Sequence, residues 1–228
     1  MNPLHVLSWK LYDHCLDAVQ PRSAIDIGAN IGGYVHTMLA HGINDITAIE
    51  PLPIPFAELS KRFSDDSRVK CLNVAAGRSK DILRGVTVLE AWTLGKPGDG
   101  GFGTNANYVG TPLLDIPVIP VDDLNLRPGI IKLDVDGHEL RVIQGMLQTL
   151  KECSPPILCE FSLYLTRLGH SAKDFVEQIL SLDYVIAAMD GSLICRTWKE
   201  VEPWFPGRET SFDVMLMPKN KPELLCSI

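Results

Sequence analysis

The sequence contains no apolar run approaching the ~20 residues that cross a bilayer, which argues against a membrane-spanning chain. It also lacks any CxxC pair: Cys15, Cys71, Cys153, Cys159, Cys195 and Cys226 are scattered. Zinc sites favour closely paired ligands and disulfide frameworks suit smaller secreted chains, so neither is expected. Cys71 and Cys159 fall in apolar, strand-like stretches, where a free thiol behaves as a small core hydrophobe. Residues 1–19 hold no basic segment followed by a continuous apolar stretch, so no signal peptide is expected and the expected compartment is the cytoplasm. Basic residues are outnumbered, 21 against 28 acidic, for a formal net charge of −7. That balance argues against nucleic acid or a membrane surface as the partner, since both need a basic footprint. No repeat, low-complexity tract or linker divides the chain, so one domain over residues 1–228 is expected, with the oligomeric state left open. At 46% hydrophobic residues, a chain of this length buries a large core unaided.

What is present is an alternation of short apolar runs with helical periodicity. Leu4, Leu7, Leu11, Cys15 and Ala18 recur at spacings of three and four, predicting an N-terminal helix over residues 3–19. Strands are predicted at residues 23–27, 45–50, 69–73, 130–134, 156–160, 184–189 and 212–217. Helices are predicted at residues 31–41, 55–63, 138–151 and 173–181. Strands alternating with helices imply a mostly parallel sheet with helices on both faces. Residues 81–124 break the alternation. There, residues 86–92 and 116–121 read as extended segments, suggesting an antiparallel pair in a β-rich insertion before the fourth strand. Between them residues 95–110 hold six glycines and almost no core-forming side chain, which suggests a functional loop or lid.

The sharpest motif is Asp26-Ile-Gly28-Ala-Asn30-Ile-Gly32-Gly33, placed between a predicted strand and a predicted helix. That is the context of a nucleotide-binding glycine turn. Gly28 would allow the tight turn and Gly32 the close approach of the helix. Asn30 stands where many such turns have glycine, and asparagine tolerates positive φ better than most residues. A dinucleotide fingerprint would read GxGxxG, with a helix N-terminus free for a pyrophosphate. Here the pattern is DxGxNxG, which suits S-adenosylmethionine, a cofactor with an ammonium, a carboxylate, a ribose and no phosphate. Asp26 would face the ammonium, the turn amides the carboxylate, and Glu50, ending the second strand, both ribose hydroxyls. The bland alternative is that Asp26 and Glu50 merely cap strand ends.

With these residues in place the chain resembles the FkbM-type methyltransferases. The matching blocks are Ile25-Asp-Ile-Gly-Ala-Asn-Ile-Gly-Gly-Tyr34, Ile49-Glu-Pro-Leu-Pro53, Asn73-Val-Ala-Ala-Gly77, Val121-Asp-Asp-Leu124, Ile131-Lys-Leu-Asp-Val-Asp-Gly-His-Glu139 and Ile157-Leu-Cys-Glu160. The resemblance implies a class I methyltransferase (Rossmann-like) fold with a seven-stranded sheet, and methyl transfer to an oxygen of a sugar or other small molecule. Asp136 departs from the glutamate usual at its position, keeping the charge and shortening the reach.

In open α/β sheets ligands bind beyond the carboxyl ends of the strands. That rule gathers Asp26, Glu50, Asn73, Asp134, Asp136 and Glu160 around one cleft. Asn73 and Val74 are candidates for the adenine. Asp134, Asp136 and His138 are the candidate catalytic residues, because a sugar hydroxyl is a poor nucleophile until a base takes its proton. Asp134 and Asp136, with Glu160, could instead attract a divalent cation such as magnesium, although no residue is assigned as a metal ligand. Glu139 reads equally as a catalytic acid or a helix cap. Trp92, Trp198, Trp204 and Phe205 read as packing residues. Two rival functions stand beside the methyltransferase: an NAD-dependent oxidoreductase, and a binding module without catalysis on the same fold.

Overall fold

The computed structural model describes residues 3–90, 93–95, 114–161, 165–166, 169–188, 194–205 and 211–221. Trp92 and all of the glycine-rich segment 95–110 except Gly95 lie outside these residues. The described helices are α1 (Pro3–Val19), α2 (Gly33–Ala40), α3 (Pro53–Arg62), α4 (Glu139–Gln144), α5 (Leu147–Cys153), α6 (Ala172–Ser181) and α7 (Trp198–Val201). The strands are β1 (Ser23–Ile27), β2 (Asp45–Ile49), β3 (Val69–Leu72), β4 (Ala75–Ala76), β5 (Asp81–Glu90), β6 (Thr93–Gly95), β7 (Leu114–Ile119), β8 (Ile130–Leu133), β9 (Ile157–Phe161), β10 (Tyr184–Ala188), β11 (Ile194–Cys195) and β12 (Phe212–Pro218).

The main sheet runs β11-β10-β12-β9-β8-β1-β2-β3. Its centre is parallel: β1 pairs with β2 and with β8, β2 with β3, and β8 with β9. All of β8, and all but the first residue of β1 and of β2, are buried, as continuous apolar runs in a two-sided sheet require. β12 enters antiparallel between β9 and β10. Among the described residues the sheet has eight strands rather than the seven expected, because β11 adds a two-residue antiparallel edge. Two residues carry no alternation for a pattern to reveal. Helices cover both faces, and two apolar cores result: Ile25, Ile27, Ile131 and Leu133 belong to one, Ala24, Ala48, Ile130 and Leu158 to the other.

A second sheet, β4-β7-β5-β6, accounts for the irregular insertion; β5 and β7 are antiparallel, but residues 81–83 rather than 86–92 lie opposite residues 116–118. The single helix predicted over residues 138–151 is two helices, broken between Gln144 and Leu147. The break has a steric cause. A Cβ on Gly145 would stand 1.9 Å from the Gly77 carbonyl oxygen, so another loop occupies that space. Asp122 then caps α5 from a distance, its carboxylate accepting from the backbone amides of Gln148 (3.0 Å) and Thr149 (2.8 Å). Trp198, Trp204 and Phe205 pack with Phe161 and Phe212, as expected of core aromatics. The described cysteines Cys15, Cys71, Cys153, Cys159 and Cys195 are free thiols. No described helix is long and apolar enough to cross a membrane.

Candidate active site

A cleft of about 650 Å³ opens where β1, β2, β8 and β9 end, lined there by Gly28, Asn30, Glu50, Asp134, Asp136 and Glu160. Ala75, Ala76, Leu83 and Val118 of the second sheet line it as well. The glycine turn shapes its floor. Gly28 has φ 83°, and a Cβ there would lie 1.8 Å from the Asp134 carbonyl oxygen, so no other residue fits this crossing of β1 and β8. Asn30 takes φ 49°, the left-handed conformation its side chain tolerates.

Five amides of the turn, those of residues 28–32, are bonded within the protein. Gly28 and Ala29 N–H donate to the Ile49 carbonyl, Ile31 N–H to Asn30 Oδ1, and Gly32 N–H to the Ala29 carbonyl. Asn30 N–H donates to Glu50 Oε2 at 2.9 Å, while Leu52 N–H donates to Glu50 Oε1 at 2.8 Å. Glu50 is only 5% exposed and burial raises its pKa, opposed by these two bonds. Each of its oxygens keeps a second lone pair, so the carboxylate is rigidly aimed and still able to accept.

Asp134, Asp136 and Glu160 can each offer an oxygen within 4.8 Å of the others. Like charges this close cannot all ionise. Burial raises Glu160 to about 9, with the Asp134 charge adding to the shift and the Ser211 bond opposing it. Ser211 Oγ donates to Glu160 Oε1 at 2.6 Å. The Asp134–Glu160 pair therefore retains a proton at neutral pH, shared between the two carboxyl groups. Asp136, at φ 50°, is raised to about 6, chiefly by burial and then by Asp134. Asp134 is steadied from below by Lys132, whose Nζ lies 2.9 Å from Asp134 Oδ2 and 4.8 Å above the Tyr34 ring centroid.

Four predicted residues stand off the cleft lining: Asp26, Gly32, Asn73 and Val74. Asp26 is 1% exposed on the face of β1 opposite Ile25 and Ile27, in register with Lys132. Among the described residues neither of its oxygens meets a donor at full hydrogen-bond geometry, the Val35 amide interacting only weakly. Burial raises it to about 7, against the lowering effect of Lys132. Gly32 serves packing, since a Cβ would meet Phe63 at 2.4 Å and Leu59 at 2.8 Å. Asn73 Nδ2 donates to the carbonyls of Glu50 (2.9 Å) and Pro51 (3.1 Å), which holds the Glu50 loop. Val74 packs against the core. Glu139 is buried and accepts from Gly137 N–H (3.0 Å), so it anchors the Asp136 turn and does not face the cleft.

His138 and His170 both line the cleft. Sequence reasoning missed Ser211, Tyr34, Arg78 and Arg141. The last two line the cleft, and Arg78 directly follows the Asn73–Gly77 block, which was a usable signal.

The family described as Methyltransferase FkbM domain matches residues 26–186. Hexuronic acid methyltransferase AglP of Haloferax volcanii is 29% identical over 129 residues, covering 55% of this chain and 50% of that protein. The chain thus spans about half the length of this curated relative. The crystal structure of an FkbM methyltransferase from Methylobacillus flagellatus KT superposes with TM-score 0.53 at 22% identity, covering 86% of this chain and 43% of the other. The plantazolicin methyltransferase BpumL, crystallised with a pentazolic desmethylPZN analogue and SAH, gives TM-score 0.50 at 12% identity, covering 96% of this chain and 86% of the other. These two likenesses establish the shared fold.

Proposed function

The chain belongs to the FkbM methyltransferase family, and from that premise we propose that it transfers a methyl group from S-adenosylmethionine to a hydroxyl oxygen of a sugar or other small molecule. The observation that carries the reading is the carboxyl pair Asp134–Glu160, backed by Lys132, in the same cleft as Glu50. The residues present fit the cofactor. Glu50 is a fixed carboxylate with spare acceptor capacity for a ribose, and Gly28 lines the same cleft with bare backbone that a ligand can approach. When bound, the cofactor supplies a methyl group already activated by its sulfonium. SAH in the BpumL structure supports the cofactor, and the name of AglP supports a sugar acceptor.

The chain's own residues would orient the acceptor and receive its proton. Productive transfer needs the acceptor oxygen roughly 3–3.5 Å from the methyl carbon and in line with the leaving sulfur. Asp134, 40% exposed at its side chain, is the carboxylate placed to take the hydroxyl proton. Asp136 and His138 flank it in the cleft lining, and Asp136 raises the negative charge around it. Lys132 and the Glu160 proton offset two of the acid charges, and the reaction as proposed routes no step through a divalent cation. Calorimetry with SAH and with NAD tests the cofactor: SAH alone should bind, and NAD binding without SAH binding would overturn the reading. Transfer of label from S-adenosylmethionine to a sugar hydroxyl tests the chemistry and sets an enzyme apart from a binding module; EDTA should leave it unchanged.

A further inference from the structure

Five acids line the cleft, Glu50, Asp81, Asp134, Asp136 and Glu160, yet Arg78 and Arg141 line it too. Among the described residues Arg62, Arg68, Arg84 and Arg127 each have a carboxylate partner, whereas Arg22, Arg78, Arg141 and Arg196 have no ion pair, and of these four only Arg78 and Arg141 line the cleft. The two belong to one corner. A Cβ on Gly145 would lie 3.3 Å from the Arg78 Cα, and Gly145 N–H donates to the Arg141 carbonyl at 3.1 Å. The break between α4 and α5 therefore brings the segment after β4 against the turn that carries Arg141. Gln144 and Ser79 add neutral donors to the same lining.

A guanidinium is a rigid planar donor array that matches carboxylate and phosphate oxygens. Two such groups left unpaired in a cleft, in a chain of net charge −7, are unspent recognition capacity. Arg141 also complements the C-terminal dipole of α4, an interaction that leaves its side-chain donors free. We propose that Arg78 and Arg141 form an oxyanion-recognition corner and that the methyl acceptor carries an anionic group, a carboxylate or a phosphate, beside the hydroxyl that is methylated. The cleft is then bipolar: the acid group receives the hydroxyl proton, and the arginine corner holds the anion and fixes which hydroxyl is presented. This inference rests on the methyltransferase reading for the word acceptor but not for the anion site itself.

Ligand-observed NMR titration with methyl glucuronide, glucose 1-phosphate and methyl glucoside tests it, with and without SAH. At least one of the two anions should bind about tenfold or more tightly than the neutral glycoside, the scale of one charge-assisted contact. The tighter anion identifies the group as carboxylate or phosphate. The double variant Arg78→Gln/Arg141→Gln keeps most of each stem, so it should fold, bring the ratio near one and leave SAH affinity unchanged. Equal binding of neutral and anionic sugars, no binding of either anion, or a preference that survives in the variant overturns the proposal. Loss of SAH binding in the variant also overturns it, by assigning the arginines to the cofactor. Failure of the unaltered protein to bind SAH would instead sink the cofactor reading, while the anion titration without SAH stays interpretable.

Discussion

Lys132 and Asp134 meet at 2.9 Å across the boundary between the sealed sheet and the open cleft. The lysine is 1% exposed and the aspartate side chain 40% exposed. Burial alone would lower the lysine pKa, but Asp134, Tyr34, Asp213 and Asp26 together raise it above the ordinary range. A permanent cation thus sits beneath the acid group. It lets one carboxylate of a crowded set stay ionised while its neighbour Glu160 keeps a proton.

Lys132→Met should therefore disturb both stability and chemistry. The variant fills a similar volume but leaves buried Asp26 without its counter-charge, so Asp26 should become fully protonated. Because Asp134 can turn to water, the expected loss is roughly 1–3 kcal/mol, the range for stranding a polar partner. Urea denaturation measures it. An unchanged midpoint with unchanged turnover would mean the lysine contributes packing alone.

Glu50→Ala should weaken SAH binding by about 1.5–3 kcal/mol, the loss of charge-assisted hydrogen bonds to a ribose. The same substitution strands the amides of Asn30 and Leu52, so a control is needed. Glu50→Gln keeps one acceptor oxygen and should fall between the two in affinity. Calorimetry on folded protein decides, and full affinity in both variants would remove Glu50 from the cofactor site.

The glycine turn and the acids were legible in the sequence because they are local: each ends a strand, and chain order puts those ends together. The side a residue faces was also available but needed the two-residue period. Asp26 sits between Ile25 and Ile27, so it points to the opposite face of the sheet, towards Lys132 and away from the cleft. What depends on long-range packing was not legible. Ser211 reaches Glu160 across 51 residues only because β12 inserts beside β9, and no motif marks that pairing. The break at Gly145 is equally hidden, since a lone glycine in a helical pattern does not announce that Gly77 abuts it.

Stability should respond to pH through Glu160, and the sign follows from its raised pKa. Between its ordinary value of 4.5 and about 9 the folded state binds a proton that the unfolded state has released. Over that window stability from this group falls as pH rises, and it levels off above the upper value. Glu160→Gln removes the titration while keeping an acceptor for Ser211 and a donor for Asp134. The variant should thus gain stability relative to the unaltered protein as pH is raised from 5 to about 9, read as the difference in melting temperature across that range. Parallel curves would place the proton elsewhere in the acid group.

The same shared proton sharpens the test of chemistry at Asp134. Asp134→Asn keeps the shape of the side chain and leaves the Glu160 carboxyl beside it, but removes the one group expected to be ionised and exposed. Loss of a general base typically costs about 10²–10⁴ in rate. Turnover on a methyl acceptor should fall by that scale while SAH affinity stays near normal, because Glu50 and the glycine turn are untouched. A second readout separates base from scaffold: the residual rate should lose the pH dependence that the unaltered protein shows. Should Asp134→Asn methylate at the original rate, proton removal belongs to another cleft residue, and His138 or His170 becomes the group to replace next.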